Sequence, residues 1–262
     1  MKFSLCIGAY GGKDVIYHLE KIKEHGLHGL EYYSWWNLDD LKQIAKEQER
    51  IGVGISATCT KFFNLVDESF RDDYIAGIRE TIEACKILNV TSIISQTGDE
   101  LEGVSREDQR SAMVETLKRC APLLEEAGIV LEVEPLNGLV DHYGHFLQRS
   151  DESMEVIDRV DSPNVKLVFD VYHQQVTEGN VIRNAIHYID RINHFHIADN
   201  PGRNQPGTGE LNYVNILRAI KETGFSGFVG LEGGYTIDTD EAIEQFKRDI
   251  VTPVFGSLQS YA

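Results

Sequence analysis

Basic residues are scarce in this chain. Its 262 residues include 25 Lys and Arg against 42 Asp and Glu, a formal charge of −17. No Lys/Arg cluster interrupts that acidic background. A surface of this sign repels phosphate backbones and anionic headgroups, which excludes nucleic acid and membrane surfaces as partners. Cysteine is sparse too: Cys6, Cys59, Cys85 and Cys120 lie far apart with no CxxC pair, which fits neither a disulfide framework nor a thiolate zinc site. They read as buried, reduced thiols. There are six prolines and no Pro/Ser-rich linker, charge block or low-complexity stretch, so nothing divides residues 1–262 and the reading is one domain. No apolar run approaches the roughly 18 residues of a membrane span. The short apolar start is cut by Gly8, Gly11 and Gly12 and lacks the core of a secretion signal, so a soluble, cytoplasmic protein is expected.

What is present is an alternation. Apolar and β-branched runs occur at Phe3 to Ile7, Gly29 to Tyr33, Val53 to Thr58, Ser92 to Gln96, Val130 to Glu134, Val165 to Asp170, His194 to Ala198 and Phe228 to Glu232. Each is followed by a longer stretch of helical periodicity. Polar starts and glycine stops mark the helices: Asp39-Asp40 opens Leu41 to Arg50, which Gly52 closes, and Asn212 opens Tyr213 to Glu222, which Gly224 closes. The phrases EHGLHG, ERIGVG, EEAGIV and KETGFSG each stop a helix before a strand. Eight strand-then-helix units in about 250 residues predict an α/β fold, a (β/α)₈ TIM barrel. A doubly wound open sheet has the same local pattern, but no GxGxxG follows the first strand.

Reactive groups of such a barrel project from the C-terminal strand ends. There the sequence places Glu134, Asp170, His196 and Glu232, spaced by 36, 26 and 36 residues, each close to one βα unit. Four adjacent strands about 4.8 Å apart can bring these side chains to one point. Three buried carboxylates repel unless a cation joins them, so one divalent metal is inferred. Mixed carboxylate and imidazole donors suit Mn²⁺, Mg²⁺, Co²⁺ or Zn²⁺, and the oxygen-rich set favours Mn²⁺ or Mg²⁺. Alternation puts Glu132 on the face of Glu134, and His194 on the face of His196, one layer deeper. They read as supports of the ligands or as satisfied interior residues.

The segments VEPLN, FDVYHQQVTEGN, INHFHIADNPGRNQPGTGELNY and FVGLEGG resemble the hydroxypyruvate isomerase group of the xylose isomerase-like barrel superfamily, which also holds ketose 3-epimerases and inosose dehydratases. The resemblance is close over roughly 130–232 and loose before it. It implies that Glu134, Asp170, His196 and Glu232 bind one divalent ion, that Glu134 and Glu232 also transfer protons, and that His173 and Arg203 hold substrate oxygens. The epimerases carry a second Glu about six residues after the strand-five ligand, where this chain has Val140, with Asp141 and His142 beside it. Some hydroxypyruvate isomerases have Gln at the strand-seven position, so His196 makes the site more epimerase-like.

The implied reaction is isomerisation of a small hydroxy-oxo acid, with hydroxypyruvate to tartronate semialdehyde as the leading case. A carboxylate removes the C–H proton and a cation stabilises the enediolate. Return of the proton to the adjacent carbon gives isomerisation; its return to the same carbon by the opposite Glu gives epimerisation, so a ketose 3-epimerase or other sugar isomerase is the alternative. Arg203 suits a substrate carboxylate because guanidinium binds one with two parallel hydrogen bonds. Gln96 is a candidate contact for a substrate hydroxyl. Trp35 and Trp36, with Phe62 and Phe63, follow strands two and three and can wall the mouth or form the subunit interface of a homodimer or homotetramer. Endonuclease IV shares the barrel but needs three zinc ions and a basic DNA-facing surface, against the charge of −17. A non-catalytic binding barrel would usually lack one of the two glutamates, and both are present.

Overall fold

The structure is a computed structural model that describes residues 1–61 and 64–256. Eight parallel strands close in chain order: β1 (Lys2–Cys6), β2 (Gly29–Tyr32), β3 (Gly54–Cys59), β4 (Ser92–Ser95), β5 (Val130–Val133), β6 (Val165–Asp170), β7 (Ile192–Ile197) and β8 (Phe228–Leu231). The helices are α1 (Val15–His25), α2 (Leu41–Ile51), α3 (Arg71–Leu88), α4 (Arg106–Ala127), α5 (Ser150–Val160), α6 (Val171–Thr177), α7 (Val181–His187), α8 (Tyr213–Glu222), α9 (Thr239–Phe246) and α10 (Thr252–Phe255). The barrel expected from the alternation is therefore the fold, and the open-sheet alternative falls because β1 pairs with β8. No helix among the described residues is long and apolar enough to cross a membrane.

The capping residues act as their chemistry predicts. Asp40 accepts a hydrogen bond from the Gln43 backbone N–H at 3.0 Å, and Asn212 from that of Asn215 at 3.1 Å. Gly26, Gly52 and Gly128 end α1, α2 and α4 in the left-handed conformation that a Cβ disfavours. Two strand boundaries differ from the sequence reading in a way that matters: β5 ends at Val133 and β8 at Leu231, so Glu134 and Glu232 sit one residue beyond the ladder.

Two-residue alternation sorts the side chains. Phe3, Leu5, Leu30, Leu131, Val133, Leu167, Phe169, Phe195 and Val229 belong to the main apolar core. The alternate positions are mostly polar and buried: Ser4, Glu31, Glu132, Asp170, His194 and His196. Ala57, Cys59, Ile94 and Val168 form a small separate apolar cluster. The same two-residue period that builds the shell thus loads the strand interior with titratable groups.

Candidate active site

One donor atom each from Glu134, Asp170, His196 and Glu232 lies within 4.8 Å of every other. The register explains the meeting: Asp170 on β6 pairs with His196 on β7, and His196 pairs with Gly230 on β8, two residues before Glu232. His196 Nδ1 stands between two carboxylates, 2.8 Å from Glu134 Oε1 and 3.1 Å from Glu232 Oε2.

The electrostatics follow from burial and crowding. Burial opposes charge on His196, but Glu232, Glu31 and Glu134 outweigh it and raise its pKa well above the ordinary imidazole range. Burial likewise opposes ionisation of Glu232, yet His196 and the Arg203 guanidinium hold its carboxyl down at about 2. Asp170 goes the other way: burial and then the neighbouring Glu232 charge push it up to about 6. Its Oδ1 accepts the His173 backbone N–H at 3.0 Å and caps α6, while Oδ2 is buried with no hydrogen-bond partner among the described residues. An orphaned carboxylate oxygen, beside two further carboxylates that converge on one imidazole nitrogen, is the donor set a divalent cation satisfies. Cys6 forms a second close group with Glu31 and His196. Burial raises its thiol pKa, however, so it remains a protonated, poor ligand.

His173 is turned by Asn137. The backbone N–H and the side-chain Nδ2 of Asn137 lie 3.3 Å and 2.6 Å from His173 Nδ1, so Nδ1 accepts and the ring proton sits on Nε2. Burial, then the Arg203 charge, lower its pKa to about 4 and keep it neutral. Nε2 is buried without a hydrogen-bond partner among the described residues, 3.7 Å from Asp170 Oδ2. Arg203 lies in the loop after β7, its Nη2 donating to Glu232 Oε2 at 3.2 Å and its guanidinium over the Tyr172 ring at 5.6 Å. Asp199 shapes that loop: Oδ1 accepts from the Leu211 N–H at 3.1 Å and Oδ2 from that of Gly207 at 2.7 Å. Gly209 is required there, since a Cβ would lie 2.2 Å from the Asn200 carbonyl oxygen.

The other sequence candidates are less closely joined. Gln96 is half-buried directly after β4, beside the ladder position Ser95–Val133. Trp35 and Trp36 meet edge to face at 5.9 Å, Lys61 Nζ lies 5.7 Å from the Trp35 ring, and Trp35 Nε1 has no hydrogen-bond partner among the described residues. No hydrogen bond ties Trp35 to the carboxylates among the described residues. Phe62 and Phe63 lie outside the described residues. Sequence reasoning missed Tyr33, whose OH donates to Glu232 Oε1 at 3.1 Å, and Glu31, whose carboxylate meets both His194 and His196. The signal for Glu31 was available: an acidic residue inside the short apolar strand GLEY. Glu132 and His194 are buried interior residues, with His194 Nδ1 3.6 Å from Glu132 Oε2 and Ser92 Oγ donating to Glu132 Oε1 at 2.7 Å.

Residues 19–249 match the model of the xylose isomerase-like TIM barrel family. The hydroxypyruvate isomerase of Escherichia coli (strain K12) is 30% identical over 234 residues, 85% of this chain and 89% of that one. A 2-oxo-tetronate isomerase of Cupriavidus necator is 34% identical over 123 residues, 47% of each chain. Among solved structures, an AP endonuclease of family 2 from Brucella melitensis superposes with a TM-score of 0.87 at 22% identity, covering 94% of this chain and 97% of that one, a likeness of fold. The chain belongs to the xylose isomerase-like TIM barrel family and is an isomerase of its hydroxypyruvate isomerase-like kind.

Proposed function

We propose that the chain isomerises a small hydroxy-oxo acid, hydroxypyruvate to tartronate semialdehyde being the leading case, with Glu134 and Glu232 as the proton-transfer groups. The observation that carries this reading is the placement of both carboxylates on one atom, His196 Nδ1, with the Arg203 guanidinium on the same Glu232 oxygen. Glu134, Asp170, His196 and Glu232 are the residues that would hold a divalent ion, with Mn²⁺ or Mg²⁺ suited to three oxygen donors and Co²⁺ or Zn²⁺ next. When bound, such an ion supplies positive charge to the carbonyl and hydroxyl oxygens of the substrate.

The protein's own residues do the rest. A carboxylate at hydrogen-bond reach removes the proton from carbon, and for Glu232, which His196 and Arg203 hold low, basicity rises when substrate draws the Arg203 guanidinium away. The Tyr33 hydroxyl, 3.1 Å from Glu232 Oε1, holds that carboxylate while its other oxygen faces the site. His173 donates its Nε2–H to a substrate oxygen, since Asn137 occupies Nδ1. Arg203 binds the substrate carboxylate through two parallel N–H bonds, with the Tyr172 ring behind it. Gln96 and Trp35 stand at the mouth, the amide for a hydroxyl and the indole as a wall. Residues 1–262 are read as a single domain, since all eight strands contribute to the closed ring.

The same pair of carboxylates also fits a second reading, a ketose 3-epimerase. Two carboxylates flanking one atom suit proton removal on one face of a planar intermediate and return on the other. Turnover of hydroxypyruvate and 2-oxo-tetronate, measured against unphosphorylated ketoses, separates the two. Acid substrates turned over at least tenfold faster than ketoses support the first reading; the reverse order supports the epimerase.

A further inference from the structure

Beneath the four-residue cluster, the barrel interior carries a chain of alternating acids and imidazoles. Glu134 Oε1 meets His196 Nδ1; His196 Nε2 meets Glu31 Oε2 at 2.7 Å; Glu31 Oε1 meets His194 Nε2 at 3.0 Å; and His194 Nδ1 faces Glu132. Glu31 is fully buried on β2, yet its carboxylate reaches imidazoles on β7. It can do so because β8, which lies between them on one side of the ring, has Gly230 at that level. A Cβ at Gly230 would fall 2.0 Å from Glu31 Oε1 and 3.1 Å from His196 Cδ2. Ser4 on β1 donates to the same oxygen at 2.6 Å. Four strands thus cooperate to fix one carboxylate under one histidine.

Imidazole has two nitrogens, and which of them can offer a lone pair depends on where the proton is held. An ionised carboxylate only accepts, so Glu31 holds a proton on His196 Nε2. Glu134 and Glu232 face the other nitrogen, Nδ1, so a cation bound between them would take the place of the Nδ1 proton while the Nε2 proton stays on Glu31. We propose that Glu31 is a positioning residue for the cation site: it fixes the ring plane of His196 and commits Nδ1, and not Nε2, as the ligand atom, with Gly230 as the glycine that makes room for it. The inference rests on the reading that Glu134, Asp170, His196 and Glu232 hold a divalent ion. Carboxylates that orient ligand imidazoles in this way generally contribute 10- to 100-fold in metal affinity.

Two substitutions test it from opposite directions. Glu31→Ala removes the acceptor, whereas Gly230→Ala keeps the charge and displaces the carboxylate by a Cβ. Mn²⁺ affinity is measured by calorimetric titration of the full chain. Proton NMR of the Co²⁺-loaded protein then follows the hyperfine-shifted, exchangeable N–H of the ligand imidazole. The wild type should show one such N–H in slow exchange, because it is buried against Glu31. Both variants should bind Mn²⁺ about 10- to 100-fold more weakly and lose or displace that resonance, while Glu134→Gln weakens binding but leaves the N–H of any Co²⁺-bound fraction in slow exchange. If Glu134→Gln weakens binding and a folded Glu31→Ala or Gly230→Ala protein keeps wild-type affinity and the wild-type N–H, the role of Glu31 is overturned and the ligand reading stands. If the wild type binds neither ion, the ligand reading itself fails and takes this inference with it.

Discussion

Asp170→Asn should strengthen the fold without metal and remove the function. Burial and the Glu232 charge raise the Asp170 pKa from 3.8 to about 6, and a shift of about two units corresponds to about 3 kcal/mol. The sign follows from the raised folded-state value: the protonated form is favoured in the native protein, so ionisation destabilises it. The penalty is absent below about pH 4, grows between pH 4 and 6, and is complete above that. Asparagine is isosteric, keeps an oxygen for the His173 N–H that Asp170 Oδ1 now accepts, and carries no charge. In chelator at pH 8 the variant should exceed the wild type by about 3 kcal/mol, or about 6–12 °C in melting temperature for a chain of this size. At pH 4 the difference should vanish. In Mn²⁺ at a thousandfold its Kd the wild type gains about 4 kcal/mol that a variant lacking the ligand does not, so the order of stability reverses. The assay is thermal melting at both pH values, with chelator and with Mn²⁺. An Asp170→Asn variant no more stable than wild type in chelator at pH 8, or equally favoured at pH 4, would refute the electrostatic argument.

Arg203→Ala should raise KM for an acid substrate 10- to 100-fold, the worth of a charge-assisted hydrogen bond of about 1.5–3 kcal/mol, and leave a neutral ketose within about threefold; equal losses on both would mean that Arg203 does not bind a carboxylate. Asn137→Ala removes the side-chain donor to His173 Nδ1 and leaves the backbone N–H in place, so kcat/KM should fall about fivefold, a neutral–neutral hydrogen bond being worth about 1 kcal/mol, with metal affinity unchanged by titration. Divalent-ion affinity should decline as pH falls through 6, because Asp170 becomes protonated there and the His196 pKa is raised. Flat binding between pH 5 and 8, measured by calorimetry, would contradict this.

Much of the barrel was legible because its signals are local and repeated. Alternation such as Ser4–Leu5–Cys6 and stops such as Gly52 need no knowledge of distant residues. The four clustered residues were legible for a related reason: a charged side chain at the end of an apolar strand is conspicuous, and βα spacing places the four on neighbouring strands. Strand ends were not fixed to the residue, and Glu134 and Glu232 fall just outside the ladder. An acid inside the apolar strand GLEY was visible at Glu31, but its role was not, because its partners are 163 and 165 residues away and its access depends on a missing side chain at Gly230. Tyr33 and Asn137 act through hydroxyl and amide contacts whose direction only the folded chain defines.

The central claim is proton transfer at carbon by Glu134 and Glu232 in a cation-binding site. Proton NMR of hydroxypyruvate in D₂O, with the purified protein and Mn²⁺ or Mg²⁺, measures it directly. Tartronate semialdehyde should appear with deuterium at the carbon that receives the proton, and Glu134→Gln, Glu232→Gln or EDTA treatment should each reduce the rate at least 100-fold, the lower range of general acid–base catalysis. Conversion that persists in either variant or in EDTA, or no conversion and no exchange of carbon-bound protons by a metal-loaded wild type, would contradict it.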